Sequence, residues 1–111
     1  MNSNWTIWVN ANKESGAEKL LSRVLKRMDM EAKDVNIAPY HKGGYIISFQ
    51  VAHEEGSWND IVIECIALGQ RTAHGWGIYG DVLQDPGASS NQTNVAGVDM
   101  IEWRLFKNES Q

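Results

Sequence analysis

Two stretches of this chain repeat apolar residues at spacings of three and four, and they constrain the fold more than any other feature. In the first, Ala17, Leu20, Leu21, Val24, Leu25 and Met28 fall on one stripe of a helix, while Glu18, Lys19, Arg23, Lys26 and Arg27 occupy the remaining surface. In the second, Trp58, Ile61, Val62, Cys65 and Ile66 do the same. A helix with a single apolar stripe must lay it on another layer. That layer is supplied by runs that alternate with period two. Trp5, Ile7 and Val9 alternate with Thr6, Trp8 and Asn10 in a strand over 5–11, which sends Trp8 to the face opposite Ile7. Tyr45, Ile47, Phe49 and Val51 share one face of a strand over 45–53, paired as a hairpin with a run over 33–40 through His41-Lys42-Gly43-Gly44.

The ends of the helices carry their own signals. Ser15 is placed to cap the first, whose last turns are basic. Ser57 with Asp60 three residues on resembles a capping box for the second, and Glu54 and Glu55 approach its positive end. That helix runs to about Arg71, where His74-Gly75 breaks it. Two more strands are expected, over 76–83 with Trp76 and Ile78 facing the core, and over 98–107. Between them "QDPGASSNQTNVAG" reads as a long loop. The order β-α-β-β-α-β-β predicts an α+β protein, a ferredoxin-like two-layer sandwich with a mainly antiparallel sheet and both helices on one face. At 111 residues it forms a single domain, 1–111.

Catalytic and cofactor motifs fail on context. "GWGIYG" at Gly75 to Gly80 spells G-x-G-x-x-G, with Asp99 about twenty residues on. A dinucleotide loop must follow a strand and open a helix, and here a helix precedes it and Asp-Val-Leu-Gln-Asp-Pro-Gly follows. The glycines therefore read as part of a strand, with no cofactor. His41, His53, His74 and Cys65 miss metal-ligand spacings, although His53-Glu54-Glu55 offers one side of a site, so no metal is expected. Cys65 lies on an apolar stripe, where burial opposes the thiolate, and no nucleophile elbow exists. The lone cysteine, a start without an apolar leader and the lack of any membrane-length apolar run predict a cytoplasmic, non-membrane protein. An enzyme is not expected. Acid–base work by Asp81, Asp85 or Asp99 with His74 remains an open alternative, as does a small-molecule-binding regulatory domain.

Charge is distributed unevenly. Residues 1–45 carry seven bases against five acids, and residues 46–111 carry three against nine. The bases sit mostly on the first helix and the aromatics in the acidic half, a separation that argues against nucleic acid and for a basic protein partner. Trp8, Trp58, Tyr79 and Trp103 are candidate anchors for such a partner, each with a core role as its alternative. The expected surface comprises Glu54, Glu55, Trp58, Asp60, Tyr79, Asp81, Asp85, Asp99, Glu102 and Trp103.

In its small acidic domain and in the aromatic segments "GWGIYGDV" and "GVDMIEWRLF", the chain resembles bacterial immunity proteins, in particular those of contact-dependent growth inhibition and related polymorphic toxin systems. The resemblance implies a cytoplasmic toxin inhibitor that binds the C-terminal domain of a cognate toxin, often a nuclease. Those families share no active-site signature, so it transfers no residue.

Overall fold

The computed structural model describes residues 1–107. Its elements are β1 (Asn2–Val9), α1 (Glu14–Met28), β2 (Lys33–Pro39), β3 (Tyr45–Ala52), α2 (Trp58–Gln70), β4 (Ala73–His74), β5 (Gly77–Tyr79), β6 (Gly87–Ser90), β7 (Gln92–Thr93) and β8 (Val98–Arg104). The N-terminal alternating run forms the centre of a six-stranded sheet in the order β2-β3-β1-β8-β6-β5, and β4 pairs with β7 in a separate two-stranded ribbon. All strand pairs are antiparallel.

Register follows from parity. Pairing Trp5 with Phe49 and Trp103, and Ile7 with Ile47 and Ile101, gathers the apolar members of three strands on one face. Both helix stripes enter the same core: Ala17, Leu20, Leu21, Val24 and Met28 from α1, and Ile61, Val62, Cys65 and Leu68 from α2. The other face carries Asn4, Thr6, Trp8, Ser48, Gln50, Met100, Glu102 and Arg104, all half-buried. Trp8 lies opposite Ile46 and Met100 there, away from Ile7 as its position in the alternation requires.

Several boundaries differ from expectation, each for a local reason. Ser15 lies inside α1, and the N-cap is Lys13, which makes no side-chain cap bond. The run over 76–83 shortens to the three residues of β5, because Gly75 (φ 65°) and Gly80 (φ 81°) both turn the chain out of extended geometry. A Cβ on Gly80 would also strike the carbonyl oxygen of Asp85. Ile78, expected in the core, is 67% exposed. Residues 84–97 are not a plain loop, since β6 joins the sheet between β5 and β8. "GASS" has no apolar alternation, and smallness is its contribution: a Cβ on Gly87 would lie 2.5 Å from Arg104 Cδ and 2.7 Å from Tyr79 Cε1. Among the described residues five strands therefore follow the second helix where two were expected. Among the described residues no helix is long and apolar enough to cross a membrane.

Candidate functional site

The second helix begins where the acidic half of the chain converges. Ser57 caps it, its side chain accepting from the backbone N–H of Asp60 at 3.1 Å. The next residue, Trp58, donates its indole N–H to the carbonyl of Val82 at 2.7 Å, joining the Glu54-to-Asp60 segment to the turn that follows β5. Two aspartates shape that turn. Asp81 accepts from the N–H of Leu83 at 2.9 Å, and Asp85 accepts from the N–H of Asp81 at 3.0 Å. The chain after β8 closes the group, with the N–H of Lys107 donating to the carbonyl of Gln84 at 2.7 Å and Lys107 Nζ standing 5.7 Å from the centre of the Trp58 ring.

The result is one continuous surface with a cleft of about 530 Å³, lined by Met1, Glu54, Glu55, Trp58, Ile61 and Lys107. Its apolar exposure is high: Met1 is 46%, Val82 56%, Leu83 58% and Phe106 42% accessible. Glu54, Glu55, Asp60 and Asp81 are exposed, and among the described residues none of them is ion-paired. Asp85 alone meets a cation, Arg104, at 3.9 Å. Exposed apolar side chains and carboxylates without ion-pair partners thus lie side by side at this end of the molecule.

Not every expected residue joins this surface. Trp103 is a correction: it is 1% exposed and packs 6.5 Å from Trp5, because the alternation of β8 turns it inward with Ile101 and Leu105. Asp99 is exposed at the opposite end of β8. Tyr79 and Glu102 bond to each other on the open face of the sheet, beneath Arg104, whose guanidinium carbon lies 5.4 Å from the centre of the Tyr79 ring. Burial, and then the neighbouring Glu102 carboxylate, push the Tyr79 hydroxyl well above its usual range. Val82, Leu83, Phe106 and Met1 were missed. The signal for the first two was present in Gly80 and the Asp81/Asp85 pair, which together mark a turn rather than a continuing strand.

No protein-family model, curated protein or solved structure matches this chain. The site is therefore read from its own residues.

A second cluster lies beneath the sheet. The Ser3 hydroxyl is 2.7 Å from His53 Nε2, His53 Nδ1 meets the Glu64 carboxylate, and Trp5 Nε1–H donates to Ser3 Oγ at 2.8 Å. This is the connectivity of a serine–histidine–carboxylate relay, yet its direction is inverted relative to solvent. Ser3 is fully buried, while the side chain of Glu64 reaches the surface. A nucleophile in that position meets no substrate, and the network serves to satisfy buried polar atoms.

Cys65 Sγ stands 3.8 Å from His53 Nε2, but burial pushes its thiol up to about 12, with the Ser3 hydrogen bond opposing and Glu64 adding to the rise. Among the described residues no group of three or more His, Cys, Asp or Glu is gathered to hold a metal ion. Alkylation of folded Cys65 by a thiol reagent at pH 8 is expected to run at least ~100-fold slower than in urea, since only the thiolate reacts. The unfolded thiol ionises near 9.0 and the folded one only near 12, so the folded state retains the proton longer. Stability from this group is present below pH 9 and is lost as pH rises through that window. Rapid labelling of the folded chain would contradict the burial.

Proposed function

We propose that this chain is an immunity protein that binds and neutralises the C-terminal domain of a cognate toxin, a basic nuclease domain, in the cytoplasm. The observation that carries the reading is the joining of the Glu54-to-Asp60 segment to the 81–85 turn through Trp58, which makes one acidic surface with exposed apolar side chains at its centre. A domain that binds phosphates presents cations, and a surface of opposite sign speeds encounter with it and competes with its substrate. Trp58, Leu83 and Phe106 then supply the apolar contact that slows dissociation. In this reading β2-β3-β1-β8 and the two helices form a ferredoxin-like core, with β5 and β6 added beyond β8 to hold the 81–85 turn against Trp58.

The test is coexpression with the C-terminal segment of the adjacent upstream gene's product, scored by a stable complex and rescue of growth. The combined variant Glu54→Lys, Glu55→Lys and Asp60→Lys is expected to slow association by about 10–100-fold at low ionic strength and to flatten its salt dependence. Stability should fall by about 1–3 kcal/mol, because three acids near the positive end of α2 become cations there, although none loses an ion-pair partner. Unchanged association kinetics would remove this end of the molecule from the interface.

A further inference from the structure

The helix-bearing face of the sheet is not covered to its edge. Trp103 of β8, Ala88 of β6 and Ile78 of β5 stand in one cross-strand row. Their exposures are 1%, 2% and 67%, so the cover ends between β6 and β5. There the face opens into a groove of about 390 Å³ above Ala88 and Trp103, walled by Ile66 and Gln70 of α2 and by His74 and Trp76. The walls are fixed. The Trp76 indole N–H donates to the carbonyl of Ala73 at 3.1 Å, and its ring lies against Gly69, where a Cβ would come within 2.9 Å of Cζ2. Glycine is a poor helix residue, and at this position of α2 it is what seats the ring. His74 is held through its backbone, by pairing with Gln92 and by the Ser90 hydroxyl, which donates to its carbonyl.

We propose that this groove binds a small, neutral, flat ring compound with one hydrogen-bonding edge. Size points to a small molecule. The volume lies at the lower end of the ~300–1,000 Å³ usual for ligand pockets, whereas a three-residue strand offers too little edge to seat a macromolecule. The lining points to a ring, which the Trp76 indole meets face or edge on while Ile66 and Ile78 cover its apolar surface. Charge sets the class. Among the described residues that line the groove none is Asp, Glu, Lys or Arg, so an ionised ligand would lose water without gaining a partner from these side chains. Gln70 and His74, both exposed, are the side chains that meet the ligand's polar edge. The groove shares no lining residue with the acidic cleft beside Trp58, and this inference does not depend on the immunity reading.

NMR of the full chain titrated at pH 8 with naphthol, and with naphthalenesulfonate as the anionic comparison, tests it. The expected result is a saturable shift of the Trp76 indole N–H and the Ile78 methyl signals, with a Kd for naphthol below about 1 mM and a sulfonate affinity at least ~10-fold weaker. Ala88→Leu fills the floor of the groove and should abolish the shifts. Ile78→Ser alters an exposed side chain, so its melting temperature should match the parent while the naphthol affinity falls by about 3–10-fold. Shifts that do not saturate, sulfonate binding as tight as naphthol, or an affinity unmoved in Ile78→Ser overturns the proposal.

Discussion

Replacing Trp103 by alanine is expected to lower the free energy of unfolding by about 3–5 kcal/mol, the range for an aromatic removed from a packed core. The reason is its place in a layer that runs across the three central strands. Trp5 stacks on Phe49 at 6.4 Å and 13°, and Trp103 tilts against Trp5 at 6.5 Å and 41°. Removing one ring leaves a cavity that sheet hydrogen bonds prevent from collapsing. Against a typical total of about 5–15 kcal/mol for a whole domain, that loss suffices to populate unfolded chains. Trp58→Ala is expected to cost less, about 1–2 kcal/mol, since its ring is only partly buried against the core and also gives up its bond to Val82. Its effect should be on partner binding. Urea titrations of both variants separate the roles, and a Trp103→Ala midpoint close to the parent's would mean that the ring is not part of the core.

How much of this could be read from the chain depends on whether side-chain pattern or backbone requirement sets the structure. The stripes of α1 and α2 and the alternation of β1 and β3 were legible, because burial of large apolar groups at fixed period dominates the energetics there. The same rule assigns Ile101, Trp103 and Leu105 to one face of β8. Trp103 was nonetheless placed with the surface set because Asp99 and Glu102 lie near it in sequence, although strand geometry sends Glu102 to the other face and Asp99 to the far end. β6 was not legible. Its glycine, alanine and serines carry no apolar signal, and Gly87 is required by what crosses it, the side chains of Arg104 and Tyr79. The candidate surface was half legible: Glu54, Glu55, Trp58 and Asp60 on one side and Tyr79, Asp81 and Asp85 on the other were named, but the bond that unites them, Trp58 to Val82, joins residues 24 apart in sequence. Long-range pairing of this kind leaves no local pattern.

The buried relay of Ser3, His53 and Glu64 was equally silent in the sequence, and His53→Ala is expected to cost about 2–4 kcal/mol. Two terms contribute. The imidazole fills core volume between the end of β3 and α2, and its loss leaves the Ser3 hydroxyl without the ring nitrogen that faces it at 2.7 Å. With the Glu64 carboxylate accepting from Nδ1–H, Nε2 is free to accept the Ser3 proton, and Ser3 Oγ in turn accepts from Trp5 Nε1–H. Each bond fixes the orientation of the next. Ser3→Ala should therefore cost about 1–3 kcal/mol by stranding the indole N–H, and the double variant should cost less than the sum by ~1 kcal/mol or more. Glu64→Gln retains an acceptor at the exposed end of the chain of bonds and should lose under ~1 kcal/mol. Equilibrium unfolding of the four variants measures the coupling. Additive losses from His53→Ala and Ser3→Ala would mean that the two side chains are neighbours without forming a unit; a sub-additive pair would identify the relay as the polar clasp that fixes α2 to the sheet beneath the acidic surface.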